Sequence, residues 1–310
     1  MNSESPMVPH VPVLLKESIE LLDVRPGGMY VDCTLGAGGH SLGMLQASSP
    51  GGRLLGVDAD PRAIREAQRS LAAFRGSFVL CNDNFVNLRS LAASYGFMPV
   101  NGVLFDLGMS SMQLEEGGRG FSFRHDDPLD MRFSPDQSLT AADIVNSFSQ
   151  DRLAHILETY GEEFKGRTIA KHIVKNRPLR TTSQLAELVV KAIDGHGKTH
   201  PATKTFQALR IFVNNEMSNL ESALRQALDL LGHRGRLAVI SYHSLEDRIV
   251  KTIFQGEARD CICPISTPVC MCDHRASVKI VTKKVVVPSL TEIRINPRSR
   301  SAKLRVAEKL

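Results

Sequence analysis

Four short apolar runs, each ending in a polar turn and followed by a helical pattern, fill the first 110 residues: Met29–Leu35, Arg53–Val57, Phe78–Cys81 and Asn101–Leu107. Apolar runs of this length read as strands covered on both faces. Helices between successive strands act as crossovers, so the alternation predicts an α/β fold whose parallel sheet has helices on either side. The crossover helices are read at Ser41–Gln46, Arg62–Phe74 and Val86–Tyr95, with Pro61 suited to the first turn of the second. A helical pattern over Val13–Leu22, stopped by Pro26-Gly27-Gly28, precedes the first strand and reads as packing. In such a sheet, ligands bind outside the carboxyl ends of the strands.

The first strand breaks into a glycine turn in the stretch Tyr30-Val-Asp-Cys-Thr-Leu-Gly-Ala-Gly-Gly-His40. A strand, a glycine turn and a helix form the geometry that holds a nucleotide-like ligand against backbone, although a plain tight turn has the same composition. Ser41 stands where a dinucleotide fingerprint would carry its third glycine, and no Gly-Lys-Ser/Thr follows as in a phosphate-binding loop. Asp58, at the end of the second apolar run, strengthens the ligand reading because an acid there accepts hydrogen bonds from ribose hydroxyls. NAD and S-adenosylmethionine both offer such a ribose. Phe85 and Asp106 follow at the ends of the third and fourth runs.

After Gln113 the alternation stops. Leu114–Pro135 is a long turn-rich passage, and loops of this length are functional or disordered. Helical patterns then recur at Ala141–Phe148, Arg152–Tyr160, Arg167–Asn176 and Ser183–Ile193, and His200–Glu216 leads into a long amphipathic helix ending at Leu231. Gly232–Gly235 reads as a turn, Arg236–Ser241 as a fifth strand ending in Tyr242-His243-Ser244, and Leu245–Phe254 as its helix. Lys279–Val287 and Ala302–Ala307 read as an antiparallel pair closing the sheet edge. The economical description is one sheet domain, residues 1–113 and 207–310, interrupted by a mainly helical insertion at 114–206.

Charge singles out the same region. The net charge of the 310 residues is +5, yet 165–210 holds ten Lys or Arg against Glu187 and Asp194, giving that segment +8 and the remainder −3. A basic face confined to one region suits a polyanion, though a solvated helical face has the same composition. No apolar run reaches the roughly 18 residues of a bilayer helix, and Met1–Pro12 lacks the plan of a signal peptide. A cytoplasmic protein is expected.

Asp32–His40, the run Asp106-Leu-Gly-Met-Ser-Ser-Met-Gln113, Arg119–Phe123, Pro128–Arg132, His200–Arg210 and Ser241–Arg248 occur in an order that resembles the RsmH (MraW) family from His10 to Ala307. That resemblance implies a class I S-adenosylmethionine-dependent methyltransferase sheet. It also implies methylation of N4 of a decoding-region cytidine in small-subunit ribosomal RNA, with the free RNA and the assembled 30S subunit both open as substrate and a homodimer as one arrangement open to the enzyme. Carried over by position, cofactor contacts fall on Gly38, Gly39, His40, Asp58, Phe85, Asp106 and Gln113. Glycines let backbone approach the methionine moiety, Asp58 takes the ribose hydroxyls, and Phe85 lies against adenine. Asp106 and Gln113 hold the sulfonium end.

A cytosine amine is a weak nucleophile, so rate must come from orientation and from hydrogen bonds that favour its pyramidalisation. DNA amino-methyltransferases present Pro-Pro-aromatic after the fourth strand, whereas Gly108-Met-Ser-Ser111 stands here. The cytosine is expected between Asp106, Ser110 and Ser111 on one side and Tyr242, His243 and Ser244 on the other. Asp106 and His243 are the catalytic candidates, His243 as proton acceptor or as scaffold. Arg210 and the basic insertion would supply phosphate contacts, and Phe121 and Phe123 either stack on bases or anchor their loop. Cys33 and Cys81 read as buried thiols. Cys261, Cys263, Cys270 and Cys272 form two Cys-x-Cys arms, which in a reducing compartment favour a structural zinc site over disulfides. Besides a methyltransferase, a non-catalytic ribosome-assembly factor and a NAD oxidoreductase remain as alternatives, the latter disfavoured by Ser41.

Overall fold

The computed structural model describes residues 12–110, 113, 117–193, 200–264 and 269–310. Seven strands form one sheet: β1 (Met29–Asp32), β2 (Arg53–Asp58), β3 (Phe78–Asn82), β4 (Val100–Asp106), β5 (Leu231–Ser241), β6 (Val278–Ile280) and β7 (Lys303–Lys309). Their order is β3-β2-β1-β4-β5-β7-β6. The first five are mutually parallel where they pair, and β7 runs antiparallel to both β5 and β6. This is the Rossmann-like methyltransferase sheet. The order reverses between β1 and β4, so the crevice beyond their carboxyl ends is where a ligand can enter.

Burial follows the period of two. Val31, Leu55, Val103, Phe105 and Val239 belong to one buried cluster. Their neighbours Tyr30, Leu54, Leu104, Ala238 and Ile240 belong to another on the opposite face. Both faces being covered, these strands are apolar throughout and show no polar-out alternation. The crossover helices are Gly39–Ser48, Pro61–Ser70 and Leu88–Ser94, the last entered by a 3-10 turn at Phe85–Asn87. Pro61 occupies the first turn of its helix, behind an Asp60 cap that accepts the Arg62 N–H at 3.0 Å.

Three local readings are corrected. The expected turn at Gly232–Gly235 lies inside β5, where the β4–β5 register shifts between Val100 and Gly102 and Arg234 takes φ +62°. The expected strand at Lys279–Val287 is ordered only as Val278–Ile280, with a separate bridge from Val286 to Leu304. His200–Glu216 is itself helical over Thr203–Val213, and a break at Asn214–Asn215 separates it from the Glu216–Leu230 helix. Asn214 accepts the Phe133 N–H and donates to the carbonyls of Met131 and Arg210, while Asn215 takes φ +49°.

The chain divides into two compact units, Met1–Gly108 with Asn219–Leu310 and, between them in sequence, Met109–Ser218. The whole Thr203–Val213 helix thus belongs to the insertion and is not divided at 206/207. Its Phe206, Ala208, Leu209 and Val213 join the insertion's own core with Leu153, Ile156, Leu157, Ile169, Ile173 and Leu185. Phe121 is buried there, stacked on Phe133, and Phe123 stacks on His200 at 4.4 Å and meets Phe206 edge-on. These rings therefore anchor the long passage that carries them.

Arg210 is also corrected. Its guanidinium is buried and makes a two-pronged pair with Glu216, Nε to Oε1 and an Nη to Oε2, each at 2.8 Å. The charge expected to face phosphate is thus neutralised inside the insertion. Removing one partner of a buried pair strands the other charge, at a cost of about 3 kcal/mol or more. Urea unfolding followed by circular dichroism should therefore show Arg210→Ala strongly destabilised and Arg210→Met/Glu216→Met largely recovered.

Candidate active site

The glycine turn is held from both sides by carboxylates. Asp58, ending β2, accepts the Gly36 N–H on Oδ2 and the Asp60 N–H on Oδ1, each at 2.8 Å. Asp32, ending β1, is fully buried and accepts the Ser41 hydroxyl at 2.7 Å and the Thr34 N–H at 3.1 Å. Ser41 is thus a functional substitute for a third glycine: its hydroxyl ties the first turn of the helix back to the strand. Thr34 Oγ1 in turn accepts the backbone N–H of Asp106 at 2.6 Å, joining the ends of β1 and β4. Asp32, Thr34, Gly36 and Ser41 were absent from the residues expected to matter. Their signal was in the sequence as polar groups inside an apolar run.

The three glycines have different reasons to be glycine. Gly36 takes φ +52° with open space where a Cβ would stand, so it is the one that leaves room for a ligand. Gly38 takes φ +85°, and a Cβ would press on Ala67 at 3.3 Å. At Gly39 a Cβ would lie 2.3 Å from the Pro12 ring. Close packing of the turn therefore also requires glycine at Gly38 and Gly39.

Asp106 is the hub of a second group. The Tyr242 hydroxyl donates to its Oδ1 at 2.7 Å, and His40 Nδ1 lies 3.5 Å from its Oδ2. His40 is buried, with Nε2 2.9 Å from the Val13 carbonyl, which assigns the donated proton to Nε2. Burial raises the pKa of Asp106, opposed by His40 and the Tyr242 hydroxyl. Asp32 is raised by burial too, opposed by His40 and the Ser41 hydroxyl. The Tyr242 phenol is pushed well above its ordinary range by burial and by the Asp106 carboxylate. Phe85 is half-buried and meets Phe105 edge-on at 5.6 Å, so its ring is anchored on the β4 core.

Of the two tasks expected of His243, the structure shows the scaffold. It is the N-cap of the Ser244–Glu257 helix: Nδ1 accepts the Glu246 N–H at 3.4 Å, and Nε2 lies 3.1 Å from Glu246 Oε1. Glu246 completes a capping box by accepting the N–H groups of Tyr242 and His243. The Nδ1 lone pair is thus engaged in the cap, while the buried Nε2 makes no hydrogen bond among the described residues. Ser244 opens the helix and is exposed. In the insertion, Ser110 and Gln113 bind each other, Gln113 Oε1 accepting the Ser110 N–H and Ser110 Oγ accepting the Gln113 N–H. Ser111 lies outside the described residues.

The four cysteine sulfurs of Cys261, Cys263, Cys270 and Cys272 all lie within 4.8 Å of one another. Cys270 and Cys272 sulfurs are 3.5 Å apart, Cys272 and Cys261 sulfurs 3.8 Å. The Ile262 N–H points to Cys272 Sγ and the Met271 N–H to Cys263 Sγ.

The MraW methylase family matches residues 7–310. This chain belongs to that family. It is 58% identical over 303 residues to the ribosomal RNA small subunit methyltransferase H of Dehalococcoides mccartyi, covering 97% of this chain and 87% of that one. The proteins of the same description from Thermomicrobium roseum and Clostridioides difficile are 50% and 45% identical, each over 97% of this chain and over 94% and 99% of their own. The carboxylate-braced turn is therefore the turn of an S-adenosylmethionine-dependent methylase. Among the described residues no helix is long and apolar enough to cross a membrane.

Burial raises Asp58 from 3.8 to about 6, outweighing the two N–H donors. A carboxyl raised in the fold binds its proton more tightly there than in the unfolded chain. Its stability contribution is full below the unfolded value and is lost as pH rises through about 6. Carbon-13 NMR of the ligand-free protein should show Asp58 titrating near pH 6; a midpoint at the ordinary carboxylate value would contradict this.

Proposed function

We infer that this MraW-family chain transfers a methyl group from S-adenosylmethionine to N4 of a cytidine in small-subunit ribosomal RNA, acting in the cytoplasm on the assembled 30S subunit. One observation carries the reading: a glycine turn braced by Asp58 stands beside a half-buried Asp106 whose Oδ1 accepts the Tyr242 hydroxyl. The identity of 45–58% with ribosomal RNA small subunit methyltransferases supports the choice of substrate. The charge of +8 over 165–210 supports the insertion as the part that meets RNA.

When bound, S-adenosylmethionine supplies an electrophilic methyl on a sulfonium. Asp58 retains acceptor capacity on both oxygens and takes the ribose hydroxyls best when ionised, which makes cofactor affinity fall as pH drops below about 6. Phe85, fixed by Phe105, offers a ring to the adenine. Asp106 is the group suited to the target amine. Its carboxylate accepts an amine N–H, which turns the nitrogen lone pair out of conjugation with the ring and leaves it free to attack. The Tyr242 hydroxyl holds that carboxylate in one orientation, so its reorganisation is small when charge develops. As the amine gains the methyl its acidity rises, and Asp106 is the acceptor nearest to hand for the departing proton.

Unmodified small subunits incubated with labelled S-adenosylmethionine should yield N4-methylcytidine on nucleoside analysis, and free ribosomal RNA much less. Asp106→Ala should lower kcat at least a hundredfold, beyond any loss of cofactor affinity, while Asp58→Ala should weaken cofactor binding by calorimetry without unfolding. Absence of N4-methylcytidine in the product would refute the assignment.

The four-cysteine cluster is inferred to hold a structural zinc ion. A tetrahedral site with zinc–sulfur bonds of about 2.3 Å requires sulfurs about 3.8 Å apart. The 3.5 and 3.8 Å separations fit that spacing, and the backbone N–H groups aimed at two of the sulfurs suit thiolates. Four thiolates leave no open position, so the ion would brace the chain between the Ser244–Glu257 helix and β6. Elemental analysis should find about one zinc per chain, lost in Cys261→Ser/Cys270→Ser together with a lowered Tm; a metal-free native protein would remove the inference.

A further inference from the structure

Phe164 is the most exposed of the large apolar side chains among the described residues, with 96% of its surface in water. Scattered apolar residues on a surface need no explanation. Phe164 differs because the backbone that displays it is fixed on every side. Glu162, before it, caps the Gln150–Gly161 helix in the left-handed region at φ +47°, and its carbonyl accepts the Lys204 ammonium at 2.9 Å. The Glu163 N–H bonds the Leu157 carbonyl, and the buried Glu163 carboxylate accepts the Lys165 N–H at 3.0 Å. Gly166 donates to the Glu163 carbonyl and packs so tightly that a Cβ would fall 2.7 Å from Glu158 Cγ. A turn secured in this way cannot fold its ring back onto the insertion core. The aromatic face is presented to solvent at a defined place.

Lysine and arginine surround it, alongside Glu158, Glu162 and the buried Glu163. Lys204 Nζ lies 5.5 Å from the ring centroid. Lys165 is exposed beside it, Lys171 is exposed on the helix that follows, and the Arg167 side chain is 87% exposed, 3.7 Å from Glu158. An apolar groove on a protein partner would gain nothing from cations around the inserted ring. A nucleic-acid base suits both features, because its π face stacks on the ring while its flanking phosphates meet lysine and arginine.

Resting on the ribosomal RNA reading above, we propose that Phe164 is a stacking platform for an unpaired base of the substrate RNA, with Lys165, Arg167 and Lys204 engaging the adjacent phosphates. It is a positioning residue remote in sequence from every methyl-transfer group, and stacking tolerates any base, so it contributes affinity and register without selecting the target.

The natural chain contains no tryptophan, so Phe164→Trp places a single fluorophore at this position. In the full-length protein Phe164→Ala should raise KM for unmodified small subunits about tenfold. Its kcat, its affinity for S-adenosylmethionine and its Tm should match the wild type. Phe164→Trp should keep the wild-type KM, and its emission should be quenched when subunits are added. Unchanged KM in Phe164→Ala together with unquenched Trp emission would overturn the proposal. Quenching that depends on protein concentration alone, with a dimer in sedimentation that Phe164→Ala abolishes, would also overturn it and assign the ring to a second copy of the chain. Wild-type protein that methylates no small-subunit RNA would instead refute the substrate reading, before any variant is compared.

Discussion

Two backbone N–H groups converge on the Asp58 carboxylate, one from Gly36 in the glycine turn and one from Asp60 at the head of the next helix. This pair of hydrogen bonds fixes the turn that follows β1 to the end of β2, and so sets the floor of the crevice where the strand order reverses. Desolvation works against it, since burying a carboxylate favours the neutral form. Each N–H recovers part of that cost, and ribose hydroxyls would recover more. A site of this kind is left incompletely compensated until a ligand arrives.

The same economy recurs at the next strand ends. Asp32 holds the start of the Gly39–Ser48 helix through Ser41, and Thr34 holds the Asp106 backbone. Asp106 is then left with its side chain between Tyr242 and His40. Carboxylates gathered at three strand ends, with Asp32 and Asp106 both close to the His40 imidazole, form an arrangement that a purely structural core would avoid, because each must be satisfied by hydrogen bonds or remain costly. Their placement at consecutive carboxyl ends of β1, β2 and β4 follows from the parallel sheet, which delivers every strand end to one edge.

The insertion solves a separate problem. Its core closes on itself, with Phe121, Leu129 and Met131 from the long irregular passage packed among its helices. The basic residues are then free to cover its surface, while Arg210 is drawn inward by Glu216. The cysteine arms between the last long helix and the sheet edge bring four sulfurs within 4.8 Å of one another.

Much of this was legible from residue order. Apolar runs too short for helices and covered on both faces announce a parallel sheet, and Asp58 and Asp106 declare themselves as acids at the ends of such runs. The start of the Pro61–Ser70 helix followed from a proline suited to a first turn, an effect that is local. What local pattern could not supply was the direction in which a polar side chain is used. His243 caps a helix, Arg210 pairs inside a core, and Gly38 and Gly39 make room for Ala67 and Pro12, residues distant along the chain or hidden by the turn's own composition. The sequence by itself determined the elements, their order and the chemical types gathered at the strand ends, because periodicity and capping act within a few residues. Only the tertiary structure decided which of those groups face one another, because hydrogen bonding and desolvation depend on neighbours that the fold brings from tens or hundreds of positions away.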